Sequence, residues 1–187
     1  MLCHITEFEN LESILKNGLI SLRKLNRLGL QVKHLTTPES RQIDCYYRLD
    51  DFVRLAYTPY YDMIPANTYY GYIQNPVIIC IDSKILLNKT GILYSNKNAL
   101  ANDVYLCENE EEIYKYIDFD KTYTKRTMEN YDDVEYKNAR QAEILIPHCI
   151  ERSYIKKIVV EEGMDISNLC KYGISIEHFT IKDSYHF

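Results

Sequence analysis

Short apolar runs, most of them bounded by polar or turn-forming residues, are the main feature of the hydrophobic pattern. Runs of this length that are rich in β-branched residues predict buried strands rather than long helices. The predicted strands cover residues 2–5, 52–57, 76–81, 92–94, 144–146, 155–160 and 174–181. Many short strands with few helices between them predict an α+β fold.

A strand followed directly by a helix is predicted at the start of the chain. Thr6 and Glu9 have the spacing of a capping box, and Gly18 is a typical helix end. His4 then ends the strand and Thr6 begins the helix, so their polar groups and the first helical amides converge. A binding site is one interpretation of this arrangement; a helix cap beside a core histidine is the other.

Three polar segments interrupt the apolar pattern. Residues 22–48 are basic and predict a short helix followed by a loop, whereas residues 107–117 are acidic with helical character. Residues 118–138 are polar, rich in tyrosine and only weakly periodic. This third segment directly precedes the strand predicted at 144–146, so it is an excursion from the sheet.

Glu143 stands where that strand leaves the polar segment. Burying an ionised carboxylate without a partner is costly, and a carboxylate at the mouth of a buried strand is therefore a candidate site residue. The alternative is a strand-edge glutamate in a surface ion pair.

Length and composition are those of an ordinary globular protein of one domain, covering residues 1–187. The formal net charge of -5 argues against a broad basic surface for duplex nucleic acid, but it leaves room for a narrow cleft. The chain has 18 tyrosines and no tryptophan; tyrosine rings can stack on unpaired bases or fill a core.

The six cysteines are spread along the chain without a C-x-x-C motif. This spacing predicts neither a disulfide framework nor a zinc site, and we expect mostly buried thiols and no metal. No apolar run reaches the length of a membrane span, and the first residues lack the pattern of a signal peptide. We therefore expect a cytoplasmic protein that does not bind membranes.

Several segments, taken in order, resemble the DarT family, the DNA ADP-ribosyltransferase toxins of bacterial toxin–antitoxin systems. The matching segments are His4-Ile5-Thr6 followed by Asn10-Leu11, the helix end at residues 14–19, Leu49-x-Asp51-Phe52-Val53-x-x-x-Tyr57, the turn at residues 95–99, Arg140-Gln141-Ala142-Glu143 and the aromatic tail at residues 181–187. The Arg-Gln-Ala-Glu element matches the catalytic strand of the family without change. The common order of these segments is stronger evidence than any one of them.

The sequence also departs from the family pattern. Arg54 replaces the proline of the family's D-Y-V-P strand, and Tyr60-Tyr61 replace the P-R that follows it. Asn98 stands where some relatives carry histidine.

The resemblance implies an ADP-ribosyltransferase-like fold with split antiparallel β-sheets and short flanking helices, and NAD as a substrate without a metal. It implies that Glu143 binds the ribose, favours its oxocarbenium character and assists removal of a proton from the acceptor base. It also implies an arginine in the loop before the second strand, for phosphate contact and acceptor activation. Arg41 is our choice for this arginine, and Arg48 is the alternative because the alignment is loose there.

The resemblance further suggests which residues contact the two substrates. His4 and Thr6 are expected to meet NAD, and Asn98 and Tyr57 are weaker candidates, with a core position as the alternative for Tyr57. Residues 118–138 would form the substrate loop. Within that loop, Tyr123, Lys125, Arg126 and Tyr131 are the side chains available to contact an unpaired strand. A surface excursion without a role is the alternative.

The leading hypothesis is therefore a toxin that modifies a base in single-stranded DNA with NAD and is held in check by a macrodomain partner that reverses the mark. A second hypothesis keeps the enzyme and changes the acceptor to RNA or protein. A third is a catalytically silent binding module with the same fold.

Overall fold

The computed structural model describes residues 1–59, 68–69, 71–130 and 132–179. Its strands are β1 (Leu2–Glu7), β2 (Leu19–Ile20), β3 (Phe52–Ala56), β4 (Pro76–Ile81), β5 (Leu93–Ser95), β6 (Leu106–Cys107), β7 (Glu143–Pro147), β8 (Cys149–Ile150), β9 (Ile155–Glu161) and β10 (Ser175–Phe179). Its α-helices are α1 (Leu11–Asn17), α2 (Leu22–Leu28), α3 (Pro38–Tyr46), α4 (Ile85–Asn88), α5 (Glu110–Ile113), α6 (Phe119–Tyr123) and α7 (Val134–Arg140). Short 3₁₀ turns lie at Phe8–Asn10, Leu49–Asp51, Arg152–Tyr154 and Ser167–Tyr172.

One large sheet organises the molecule. Its eight strands follow the order β10-β9-β4-β1-β3-β7-β5-β6, and β2 pairs with β8 in a separate two-stranded sheet. Neighbouring strands of the large sheet are antiparallel except β9 and β10, which run parallel. The predicted α+β class is confirmed.

The central strands are buried because their apolar residues face packed layers on both sides of the sheet. β4 is buried along its whole length, and it has the bounds that its apolar run predicted. The largest cluster of buried apolar residues includes Leu55, Ile79 and Ile144, and a smaller cluster includes their neighbours Ile5 and Ile78. This alternation along each strand follows from the two-residue period of the pleat.

The predicted capping box at Thr6 is wrong. Thr6 belongs to β1, which extends to Glu7, and a 3₁₀ turn separates that strand from α1. His4 accordingly lies within the strand rather than at its end. The Glu7 carboxylate is fully buried and accepts hydrogen bonds from the amides of Gln74 (2.5 Å) and Asn75 (3.1 Å). Where the sequence predicted the start of a helix, the structure therefore has the end of β1.

Gly18 ends α1 as the sequence predicts. Its φ of 79° lies in the region that glycine favours, and its amide donates to the carbonyl oxygen of Ile14. A Cβ atom at this position would clash with the carbonyl oxygen of Ile150. The chain needs glycine here both for the backbone conformation and for the close approach of β8.

The basic segment at 22–48 contains two helices, not the predicted single helix and loop. Pro38 begins α3 as its first residue, a position where its missing amide hydrogen costs nothing. The Thr37 hydroxyl accepts a hydrogen bond from the Ser40 amide at 3.2 Å and caps the helix. Thr37-Pro38 is therefore the sequence signal of this helix start, since proline is as typical of a first helical turn as of a loop.

Three other predictions need correction. The helix expected at 107–117 is short, because residue 107 belongs to β6 and α5 covers only Glu110–Ile113. The excursion at 118–138 contains α6 and the start of α7. The cysteines are free, but only Cys3 and Cys80 are buried, whereas Cys45 and Cys170 are exposed.

Candidate active site

A pocket of about 670 Å³ lies against the central strands. Residues of β1, β3 and α3 line it, together with the loop before α3, the end of α1, the turn after β5 and the first residue of β7. Among the predicted site residues, those that line it are His4, Thr6, Arg41, Asn98 and Glu143. The fold therefore brings together side chains that are far apart in the sequence.

Glu143 is the first residue of β7 and is only 3% exposed. One carboxylate oxygen, Oε2, accepts hydrogen bonds from the backbone amide of Ala99 at 2.9 Å and from Nη1 of Arg54 at 3.2 Å. These donors offset the cost of burying a charge. The surface ion pair that was the alternative for this residue is excluded by its burial.

Arg54 is the cation beside Glu143, a contact that the sequence analysis did not predict. It lies on β3, lines the pocket and also forms an ion pair with Asp44 of α3. Burial raises the pKa of Asp44, and the Arg54 guanidinium opposes that rise. The sequence offered one signal, a charged residue between the buried Val53 and Leu55, but the glutamate that it contacts is 89 residues away.

The ring of His4 bridges β1 and β3 inside the pocket. Its Nδ1 lies 2.9 Å from the carbonyl oxygen of Arg54. A carbonyl can only accept, so Nδ1 carries the proton and donates, which leaves Nε2 as an acceptor. Burial lowers the pKa of His4, against a smaller opposite effect of this hydrogen bond, and favours the neutral ring.

Thr6 connects the strand to the loop that covers the pocket. Its hydroxyl accepts a hydrogen bond from Nδ2 of Asn10 at 3.1 Å. The same amide group of Asn10 donates to the carbonyl oxygen of Lys33, and its Oδ1 accepts from the amide of Lys33, both at 2.9 Å. This two-point contact holds the start of the loop that leads to α3.

Arg41 lies on α3 and lines the pocket, with Nη1 donating to the carbonyl oxygen of Thr36. Arg48, the alternative, is not among the lining residues that the structure describes; it precedes the 3₁₀ turn before β3 with a φ of 59°. Of these two arginines, only Arg41 is thus among the described residues that line the pocket.

Asn98 stabilises the turn after β5, which provides a backbone donor to Glu143. Its Oδ1 accepts a hydrogen bond from the amide of Leu100 at 2.9 Å, which is an Asx-type turn. The intervening amide, that of Ala99, donates to Glu143.

A model of one protein family, described as "ssDNA thymidine ADP-ribosyltransferase, DarT", matches residues 3–185. The chain belongs to the DarT family. The resemblance found in the sequence is confirmed.

Individual relatives agree with this assignment. A DNA ADP-ribosyl transferase-DNA ADP-ribosyl glycohydrolase fusion protein of Thermosipho africanus is 24% identical over 183 residues, which cover 91% of this chain and 45% of that protein. The chain thus spans about half the length of the curated relative it matches. Among solved structures, Thermus sp. 2.9 DarT in complex with ADP-ribosylated ssDNA has a TM-score of 0.76 at 15% identity, covering 98% of this chain and 95% of that one. The same Thermus protein in complex with NAD+ has a TM-score of 0.70 at 15% identity, covering 98% and 96%.

Three further residues expected from the DarT resemblance are not among the described residues that line the pocket. Tyr57 is 5% exposed and packs edge-to-face on Phe119 with ring centroids 5.8 Å apart, which is the core alternative. Tyr123 is 55% exposed and stacks on Phe119 as well, with ring centroids 6.1 Å apart. Arg126 is half-buried and, like Tyr123, is not among the described residues that line the pocket.

The two charged residues of the DarT Arg-Gln-Ala-Glu element differ in position: Arg140 does not line the pocket among the described residues, whereas Glu143 does. Arg140 is fully buried, and its Nη1 donates to Oδ1 of Asn130 at 3.4 Å. Asn130 also accepts from the amide of Thr127 and donates to the carbonyl of Lys125, so Arg140 helps to hold the turn that follows α6. Tyr131 and the tail at 181–187 lie outside the described residues.

Neither a metal cluster nor a membrane-spanning helix occurs in the described ranges. Within 1–59, 68–69, 71–130 and 132–179, the structure has no group of three or more His, Cys, Asp or Glu residues able to hold a metal ion. None of the helices in these ranges has the length and apolar character required to cross a membrane.

Proposed function

We propose that this protein is an NAD-dependent ADP-ribosyltransferase that modifies a thymidine base in single-stranded DNA. The observation that carries the proposal is the buried Glu143 carboxylate on the pocket wall, in a chain that the DarT family model matches almost from end to end. The complexes of Thermus DarT with NAD+ and with ADP-ribosylated ssDNA support the same pair of substrates.

In the proposed reaction, the bond between the nicotinamide nitrogen and C1′ of the ribose breaks, and nicotinamide keeps the electron pair. C1′ gains oxocarbenium character and forms a new bond to a ring nitrogen of the base, which loses its proton. The carboxylate of Glu143 stabilises the developing positive charge and helps to take up that proton. Its burial strengthens both effects, because charges interact more strongly away from water.

The other pocket residues would bind NAD. Arg41 offers a guanidinium to a pyrophosphate oxygen, which it fits better than lysine would. The Nε2 acceptor of His4 suits a ribose hydroxyl, and Asn98, which also lines the pocket, would be a further contact of NAD. Thr6 acts through Asn10 on the loop over the pocket.

The acceptor would enter beside residues 118–138, with Tyr123, Arg126 and Arg48 as candidate contacts. These residues do not line the pocket among the described residues, and contacts outside it suit this role because a strand several nucleotides long extends beyond the reacting base. We propose that residues 1–187 act as one domain in this reaction and that the protein works in the cytoplasm as a toxin. The fusion of transferase and glycohydrolase in the Thermosipho relative supports a macrodomain partner that removes the mark.

The test is incubation of the purified protein with labelled NAD and separate pools of single-stranded DNA, duplex DNA, RNA and lysate protein. We expect label on single-stranded DNA alone, and mass spectrometry of a short oligonucleotide panel should locate it on thymidine. Label on RNA or protein only would show that the acceptor is wrong. Absence of nicotinamide release with every acceptor would favour a silent binding module.

Glu143→Gln tests the carboxylate in the same assay. The variant keeps the shape of the side chain but removes its charge, so we expect the transfer rate to fall by at least about a thousandfold. Glu12→Gln, at an exposed position paired with Lys16, is the matched control and should retain the parent rate. A Glu143→Gln variant with more than about a tenth of the parent rate would contradict the proposed role.

A further inference from the structure

Asp44, Arg54 and Glu143 form a row of alternating charge in the pocket wall. Arg54 uses Nη2 for Asp44 and Nη1 for Glu143, the latter at 3.2 Å. The side chains are 17%, 24% and 4% exposed, respectively. The planar guanidinium of arginine can hold two carboxylates on separate nitrogens, which the single nitrogen of lysine cannot do.

We propose that Arg54 is a positioning residue of the transfer reaction: it fixes the Glu143 carboxylate, and Asp44 fixes Arg54 in turn. This inference rests on the proposed function, and it gives a role to a residue that stands where the family pattern has proline.

The sheet register explains why this arginine reaches Glu143. Ala56 of β3 is directly opposite Glu143 of β7, and Arg54 is two residues before Ala56 on the same face. Arg54 is therefore a diagonal cross-strand neighbour of Glu143, a separation that a long side chain spans easily. Proline at this position could not make the contact.

Position on two central strands makes the contact rigid. β3 lies between β1 and β7 in the sheet, and the backbone carbonyl of Arg54 accepts the hydrogen bond of His4. The Arg54 backbone is thus held from one side while its guanidinium is held by Asp44. Catalytic groups need such support, because a displacement of about 1 Å can cost a hundredfold in rate.

The charge of Arg54 also acts on Asp44. Burial raises the pKa of Asp44 and the Glu143 carboxylate adds to that rise, whereas the Arg54 guanidinium opposes it. The other ionisable groups that line the pocket are Cys3 and His4 on β1, Lys33 and His34 before α3, Glu39 and Arg41 on α3, and Asp50 before β3.

The first experiment compares kcat and KM for NAD of Arg54→Gln, Arg54→Lys and Asp44→Asn with those of the parent. For Arg54→Gln we expect kcat to fall about a hundredfold and KM for NAD to change less than about threefold. Arg54→Lys should restore only part of kcat, because lysine carries the charge without the planar pair of donors.

Asp44→Asn should lower kcat by about tenfold and leave the charge next to Glu143 in place. Arg27→Gln is the control, since Arg27 is exposed and is not among the described pocket-lining residues. A higher KM for NAD with an unchanged kcat in Arg54→Gln would overturn the inference, because Arg54 would then be a binding residue for NAD.

The second experiment does not depend on activity. Unfolding equilibria of Arg54→Gln, Glu143→Gln and the double variant form a double-mutant cycle. We expect a coupling of about tenfold in the unfolding equilibrium constant, as for contacting buried groups. Additive effects would overturn the inference. If the parent releases no nicotinamide, the proposed function is wrong, and this cycle still decides whether Arg54 holds Glu143.

Discussion

The imidazole of His4 is held in one tautomer by the chain itself. The backbone carbonyl of Arg54 accepts from Nδ1 at 2.9 Å, so the orientation of the ring does not depend on a side chain that a substitution could remove. Burial, the larger effect on its pKa, shifts that pKa below the ordinary value. His4 therefore presents Nε2 of a neutral ring as a hydrogen-bond acceptor.

A pH dependence of stability follows at this residue. As pH falls from about 7 to 5, an unfolded histidine takes up a proton while the half-buried His4, with its lowered pKa, resists it, so the unfolded state is favoured. We expect the unfolding free energy of the parent to decrease across this range more steeply than that of His4→Gln. Chemical denaturation at each pH measures both. An unchanged slope in His4→Gln would contradict the argument.

Among the structural elements, the junction of α1 and β2 depends most on one residue. Gly18 has φ 79° and ψ -177°, a conformation that is essentially restricted to glycine. Close contact with the carbonyl oxygen of Ile150 leaves no room for a methyl group. The same contact brings β8 against β2, directly after the strand that carries Glu143.

Replacement of Gly18 by alanine should therefore lower the unfolding free energy by about 3 kcal/mol or more, from backbone strain and the clash together. Gly29→Ala is the control, since Gly29 also has a positive φ but no atom within 4 Å of the place that an alanine methyl group would take. It should cost about 1 kcal/mol. Urea denaturation measures the unfolding free energy of both variants. Equal decreases would show that the clash with β8 does not contribute to the effect of Gly18→Ala.

The elements that local sequence determines are predictable, and those that depend on distant partners are not. β4 and the start of β7 follow from continuous apolar runs, and Gly18 marks the end of α1. The capping box failed because pairing of β1 with β4 extends the strand through Thr6 and Glu7. Tertiary pairing overrides a local capping signal of this kind.

The candidate site shows the same division. The motif around Glu143 identified the carboxylate, and the order of the segments identified the family. Arg54 could not be assigned from the sequence, because its contact depends on the register between β3 and β7. Tyr57 illustrates the opposite case, a matched motif residue that packing against Phe119 places in the core.

Across the whole molecule, the charge is acidic and many cations are already paired. The chain has 22 lysines and arginines against 27 aspartates and glutamates. Arg23 pairs with Asp50, and Lys121 pairs with Glu135, among others. Such a surface can neutralise only a few phosphates of a nucleic acid.

A weak salt dependence of acceptor binding is therefore expected. For single strands, the logarithm of the binding constant falls with the logarithm of salt concentration by about 0.7 per neutralised phosphate, so two or three contacts predict a slope of about -1.4 to -2. Fluorescence anisotropy of a labelled oligonucleotide at several KCl concentrations measures it. A slope steeper than about -4 would show a broad basic track and contradict this expectation.

The amide of Ala99 has a consequence for how freely the turn after β5 can vary. Because this donor is part of the main chain, every residue except proline supplies it, whatever the side chain. The hydrogen bond to the Glu143 oxygen can thus persist when residue 99 is replaced by another amino acid. Only a proline at this position, or a change in the course of the backbone, would remove it.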